Sequence, residues 1–194
     1  MAILKIARMG HPALKKRAEE ITDPTAPEYG KLVADMLETL VDSGGVGLAA
    51  PQVHVSERLV IFHVPQARAV DEKYQDAGLE DETGEVPLTV LINPVIEPLD
   101  ENKEEAYEGC LSLPGMMGAV PRYTHIRYSG LGLDGKPFER EAKGFHARVV
   151  QHECDHLDGV LYPQRIEDMM KFGFNEEMKM RMKAEIESME EELE

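Results

Sequence analysis

His152 and His156 stand four residues apart in VVQHECDHLDG (149–159), with Glu153 between them. On a helix, residues four apart share one face, so the two imidazoles point the same way. Glu153 is rotated by about 100° and reaches the same space from the side. Neutral imidazoles are good ligands for a borderline metal. A metal held this way acidifies water, and a glutamate beside it can take the proton. The competing reading is a pair of hydrogen-bonded core histidines. Ala147, Val150, Cys154 and Leu157 mark one apolar stripe, while Phe145 and Val149 continue the histidine face. A helix apolar on two sides belongs at the centre of a fold.

Catalytic tetrahedral sites usually have three protein ligands and one open position. Three sources could supply the third. The H-E-x-x-H-x-x-G-x-x-H protease pattern has its glycine here, Gly159, but Tyr162 occupies the place of the third histidine. A downstream glutamate, Glu176 or Glu177, lies in a segment that reads as an exposed tail. Of the two cysteines, Cys154 sits about 200° around the helix from His152 and reads as a small buried hydrophobe. Cys110, in YEGCLSLPG just before Pro114, suits a rigid extended turn.

The elements that must position these groups follow from local patterns. TAPEYGKLVADMLETLVDSGG predicts a helix, with Thr25 and Glu28 as a capping box and Pro27 in the first turn. Its apolar stripe is Leu32, Val33, Met36, Leu37, Leu40 and Val41, and Gly44 and Gly45 end it. RLVIFHV (58–64) and LTVLINPVIEPL (88–99) predict strands. The acidic stretch 71–85 between them reads as a solvated loop. THIRYSGLGLDGKPFERE predicts a hairpin turning at Asp134 and Gly135. Residues 144–157 and an acidic C-terminal segment, roughly 166–194, predict helices. The expected fold class is α+β. It is a single domain over 1–194, with short mixed or antiparallel sheets around the central histidine helix and helices at both ends.

The chain has 194 residues, 42% hydrophobic and 30% charged, enough for a globular core. Its net charge of −16 argues against a DNA-binding protein, whose footprint would be basic. No apolar run approaches the roughly 20 residues of a membrane span. The opening MAILKIARMGHP has neither a long apolar core nor transit-peptide character, so the reading is a soluble cytoplasmic protein with no disulfide.

GVGLAAPQ (45–52), EGCLS (108–112) and HECDH (152–156) together resemble the three signature motifs of peptide deformylase, in the same order and spacing. The resemblance runs from GHPAL near the start to about residue 165. It implies an enzyme that removes the formyl group from N-formylmethionine of new polypeptides and releases formate. Cys110, His152 and His156 would hold one divalent metal and Glu153 would be the acid/base residue. The Gln52 side-chain amide and the Leu111 backbone N–H would stabilise the oxyanion. Gly45, Val46 and Gly47 would pair with the extended substrate, and Phe145 and Val149 would line a slot for the methionine side chain. The family points to iron(II), while one thiolate and two imidazoles also suit zinc, cobalt or nickel.

Many bacterial members carry a glutamate before the first motif and an arginine seven residues after the metal cysteine. Gly44 and Met117 stand at those places, so an entrance ion pair is expected to be missing. Some members dock on ribosomes through the C-terminal helix. The acidic bias here leaves only a weak ribosome association to expect.

Overall fold

A computed structural model describes residues 2–64 and 86–191. The stretch 71–85, read as an acidic loop, lies outside them. Pro27–Ser43 form helix α1. The expected capping box is absent. Asp23 Oδ1 accepts from Thr25 N at 3.0 Å and from Thr25 Oγ1 at 2.6 Å, so a turn before the helix uses the hydroxyl. Ala26 is the N-cap, and Pro27 fills a first position whose N–H would lack a partner anyway. Val33, Met36 and Leu40 are buried and Leu32 and Leu37 partly so, but Val41 is 64% exposed. The apolar stripe is therefore narrower than its periodicity implies. Gly44, at φ 66°, stops the helix with its N–H on the Leu40 and Val41 carbonyls.

Two antiparallel sheets follow. The first runs through β1 (Gly47–Ala49), β2 (Leu59–Val64), β3 (Val86–Pro98), β6 (His125–Leu131) and β7 (Pro137–Lys143), adjacent in that order. The predicted strands at 58–64 and 88–99 are β2 and β3. The predicted hairpin is β6–β7, and Gly135 adopts φ 72° in its turn. The second sheet orders β4 (Lys103–Cys110), β5 (Leu113–Tyr123) and β8 (Phe172–Phe174). All these strand pairs are antiparallel, and one isolated parallel bridge joins Glu19 and Glu57.

Helix α2 (Gly144–Leu157) lies between the sheets. Ala147, Val150, Cys154 and Leu157 pack with Val60, Phe62, Leu91, Ile126 and Tyr128 of the five-stranded sheet. Each fully buried aliphatic side chain there contributes about 1.5–3 kcal/mol. Polar bonds tie the helix to β5. Arg148 donates to the Val120 carbonyl at 2.7 Å, and the Gln151 amide bridges the Tyr123 backbone. The last helix, α3, spans Asn175–Glu191. The α-helix expected from about residue 166 begins only at Asn175; before it stand a short 3-10 helix, Met169–Lys171, and β8. Phe172–Phe174 pair with Met116–Gly118 and are held extended as β8. Among the described residues, no helix is long and apolar enough to cross a membrane.

Candidate active site

Cys110 ends β4 at the β4–β5 turn, and its Sγ meets the histidine face of α2, the side away from Cys154. His152 and His156 sit one turn apart on α2, with ring centroids 5.2 Å apart. Cys110 Sγ lies 3.3 Å from His156 Nε2. One donor atom from each of the three falls within 4.8 Å of the others. A thiolate with two buried imidazoles at this spacing fits a divalent transition metal. The other sources of a third ligand fall away. Tyr162 stacks its ring on His152, centroids 6.0 Å apart, and Glu176 and Glu177 are exposed on α3. Cys154 is buried in the core, where desolvation pushes its thiol well above the usual range.

The sequence reading assigned no role to Glu108, which the structure makes central. It accepts from His152 Nδ1 at 2.8 Å, from Arg122 at 2.9 and 3.0 Å, and from Arg148 at 2.9 Å. Burial alone would raise its pKa. The His152 and Arg122 hydrogen bonds reverse this and hold the carboxyl well below the usual carboxylate range. Ionised Glu108 thus fixes His152 with Nδ1 donating, which leaves Nε2 for a ligand. Nothing local in the sequence marks it, since the register shifts between Gly109 and Cys110 and simple alternation does not tie position 108 to the ligand cysteine. Asp155 extends the network by accepting from Arg122 and Arg165.

Burial disfavours the charged form of His152, but hydrogen bonds to Cys110 and Glu108 outweigh it and raise its pKa. The anionic surroundings therefore favour positive charge at this spot, as a cation would require. Burial and the His152 and Arg122 charges keep His156 neutral, the form that can ligate.

Glu153 is 5% exposed, and its Oε2 is buried with no hydrogen-bond partner among the described residues. Desolvation, opposed by His152, raises its pKa to about 7. Gly47 of β1 lies directly against it. A Cβ at that position would stand 2.3 Å from Glu153 Oε1, so only glycine lets the strand pass the carboxylate. Gln52 is 1% exposed. Its Oε1 accepts from Ala49 N at 2.8 Å, which turns Nε2 toward Ser112 Oγ (3.1 Å) and Cys110 Sγ (3.5 Å). Gln52, Leu111, Gly45, Val46, Gly47, Phe145 and Val149 all line one cavity of about 400 Å³ with Cys110, His152 and Glu153. His156 is buried behind it. Gly44 is also on that cavity wall, and Met117 lines a neighbouring one.

A sequence profile described as polypeptide deformylase matches residues 3–172. The chain is 52% identical over 171 residues to peptide deformylase 1 of Bordetella pertussis, covering 88% of this chain and 92% of that one. It is 49% identical over 174 residues to peptide deformylase 1 of Nitrosomonas europaea, covering 90% and 93%. Its fold is similar to the Met-Ala-Ser-bound crystal structure of class I type b peptide deformylase from Acinetobacter baumannii, with a TM-score of 0.75 and 34% identity. That match covers 85% of this chain and 99% of the other. With the family profile matched over most of its length and the fold shared, the chain belongs to the polypeptide deformylase family.

Proposed function

We propose that this deformylase works through a metal held by Cys110, His152 and His156, with Glu153 carrying the proton. As a family member, the chain is an enzyme that removes the N-formyl group from nascent polypeptides, and the family is metal dependent. The observation that carries the residue assignment is the meeting, at one cavity, of Cys110 and His152 with His156 just behind them, a buried glutamate oxygen with no partner among the described residues, and an oriented glutamine amide.

A divalent ion bound there supplies Lewis acidity to water and to the formyl oxygen. Glu153 takes the proton of the water whose oxygen attacks the formyl carbon. As the C–N bond breaks, Glu153 delivers that proton to the departing amine, and formate and a free N-terminus result. Gln52 Nε2 and the Leu111 N–H donate to the developing oxyanion, and such donors are typically worth about 3–4 kcal/mol each. The Gly45–Val46–Gly47 backbone holds the peptide as an added strand, and Phe145 and Val149 bound the slot for its first side chain. The A. baumannii neighbour binds Met-Ala-Ser, which supports a methionine-first peptide here. Iron(II) is the metal of this proposal, with zinc, nickel or cobalt able to replace it on the same donors. We place the reaction in the cytoplasm, in one catalytic domain spanning 1–194. Ribosome association is weak in this reading, since an acidic α3 repels RNA phosphates.

Formyl-Met-Ala-Ser and acetyl-Met-Ala-Ser, compared anaerobically with iron(II), nickel or zinc loaded, test the reaction. Strong preference for the formyl peptide is expected with at least one metal. Equal turnover of both, or internal cleavage without formate, would defeat it. The slot has its own test. Val149→Ala should lower discrimination between formyl-Met and formyl-Ala peptides, by a contact worth about 1–3 kcal/mol. An unchanged ratio in both Val149→Ala and Phe145→Ala would put the slot elsewhere.

A further inference from the structure

A second cavity, of about 690 Å³, adjoins the one that holds the site. The two share Tyr107, Glu108, Gly109, Phe145, Arg148 and Asn175, so the side-chain slot beside Phe145 borders both. Most of the polar groups at this junction are engaged. Glu108 accepts from His152, Arg122 and Arg148, and Arg148 also donates to the Glu104 and Val120 carbonyls. Asn175 differs. Its Oδ1 is buried and has no hydrogen-bond partner among the described residues. An amide oxygen left this way is unfavourable unless a donor arrives.

Asn175 is also held in place. It is the first residue of α3 and directly follows β8, whose Gly173 pairs with Met117. Met178, one turn on, is 5% exposed and packs so closely under Gly173 that a Cβ there would sit 3.1 Å from its Sδ. The start of the C-terminal helix is thus part of the cavity wall.

We propose that Asn175 is a specificity-determining residue whose carboxamide pairs with a hydrogen-bonding first side chain, so that the enzyme also deformylates peptides beginning with N-formylglutamine. Glutamine matches methionine in length and shape but ends in a donor and an acceptor. A methionine thioether offers no donor to the Asn175 oxygen. A glutamine amide pairs with the asparagine amide whichever way either is turned. The inference rests on the slot assigned above.

The test compares kcat/KM for formyl-Gln-Ala-Ser and formyl-norleucine-Ala-Ser, read by formate release, in wild type, Asn175→Ala and Asn175→Leu. Both peptides are measured on the same preparation, so loss of folded enzyme cancels in the ratio. The glutamine-to-norleucine ratio should fall roughly tenfold in both variants. A ratio within about twofold of wild type in both variants overturns the proposal. If Val149→Ala still shifts the formyl-Met to formyl-Ala ratio in that case, the slot stands and only the role of Asn175 falls. No formate from any of these peptides, formyl-Met included, overturns both.

Discussion

Glu153→Gln is expected to leave the fold and the bound metal intact and to lower kcat/KM by about 10²- to 10⁴-fold. Glutamine matches the shape of glutamate, so the close passage of β1 at Gly47 survives. What is lost is the proton carrier. The carboxylate is buried, has an oxygen with no partner among the described residues, and is pushed up to about 7 by desolvation. A carboxyl raised toward neutrality can both take up a proton and give it away. Kinetics with metal analysis on the same sample decide the matter: near-wild-type turnover at full metal content would remove Glu153 from the reaction. The raised pKa has a consequence for metal-free protein too. Its folded form binds the Glu153 proton more tightly than the unfolded chain, whose carboxyl titrates near the ordinary 4.5. The stability this contributes is fully present below that value and is lost as pH rises through about 7. Urea melts of metal-free wild type and Glu153→Gln at pH 5 and 8 should differ in that direction, the variant losing less stability on going to pH 8.

The second large effect concerns the two cysteines. Cys110→Ala should release most of the metal, while Cys154→Ala should retain it. Cys110 Sγ lies at the meeting point of His156 Nε2, Gln52 Nε2 and the Ser112 N–H, at 3.3, 3.5 and 3.4 Å. Cys154 is on the opposite side of α2 among Val150, Leu157 and Phe62, where burial keeps the thiol protonated. Its replacement by alanine removes packing alone. Metal content after anaerobic purification separates the cases. A Cys154→Ala protein without metal beside a fully loaded Cys110→Ala protein would reverse the assignment.

The amino-acid order alone determined the parts of this protein whose causes are local. The i, i+4 spacing of His152 and His156 needs only a helix to become a two-imidazole face. Apolar runs rich in β-branched residues were enough to place β2 and β3, and an Asp-Gly turn was enough for the β6–β7 hairpin. The three spaced motifs identified the family, and with it Cys110, Gln52 and Glu153, which all line or border one cavity. Other features depended on groups far apart in the chain. β4 and β5 were not legible because β4 is an edge strand whose residues are mostly exposed, and β5 is interrupted by glycine and proline. Neither shows the alternation that a half-buried strand leaves in a sequence. The start of α3 was misplaced because pairing with β5 holds 172–174 extended, whatever their own preference. Thr25 failed as a cap because Asp23 competes for its hydroxyl. Glu108 carried no local sign of its task. Its charge is stable in the interior only because Arg122, Arg148 and His152, from two other elements, meet it there. Periodicity acts over a few residues, so a sequence displays it directly. A buried carboxylate, an orphaned amide or a glycine that a glutamate requires exists only once the chain has closed on itself.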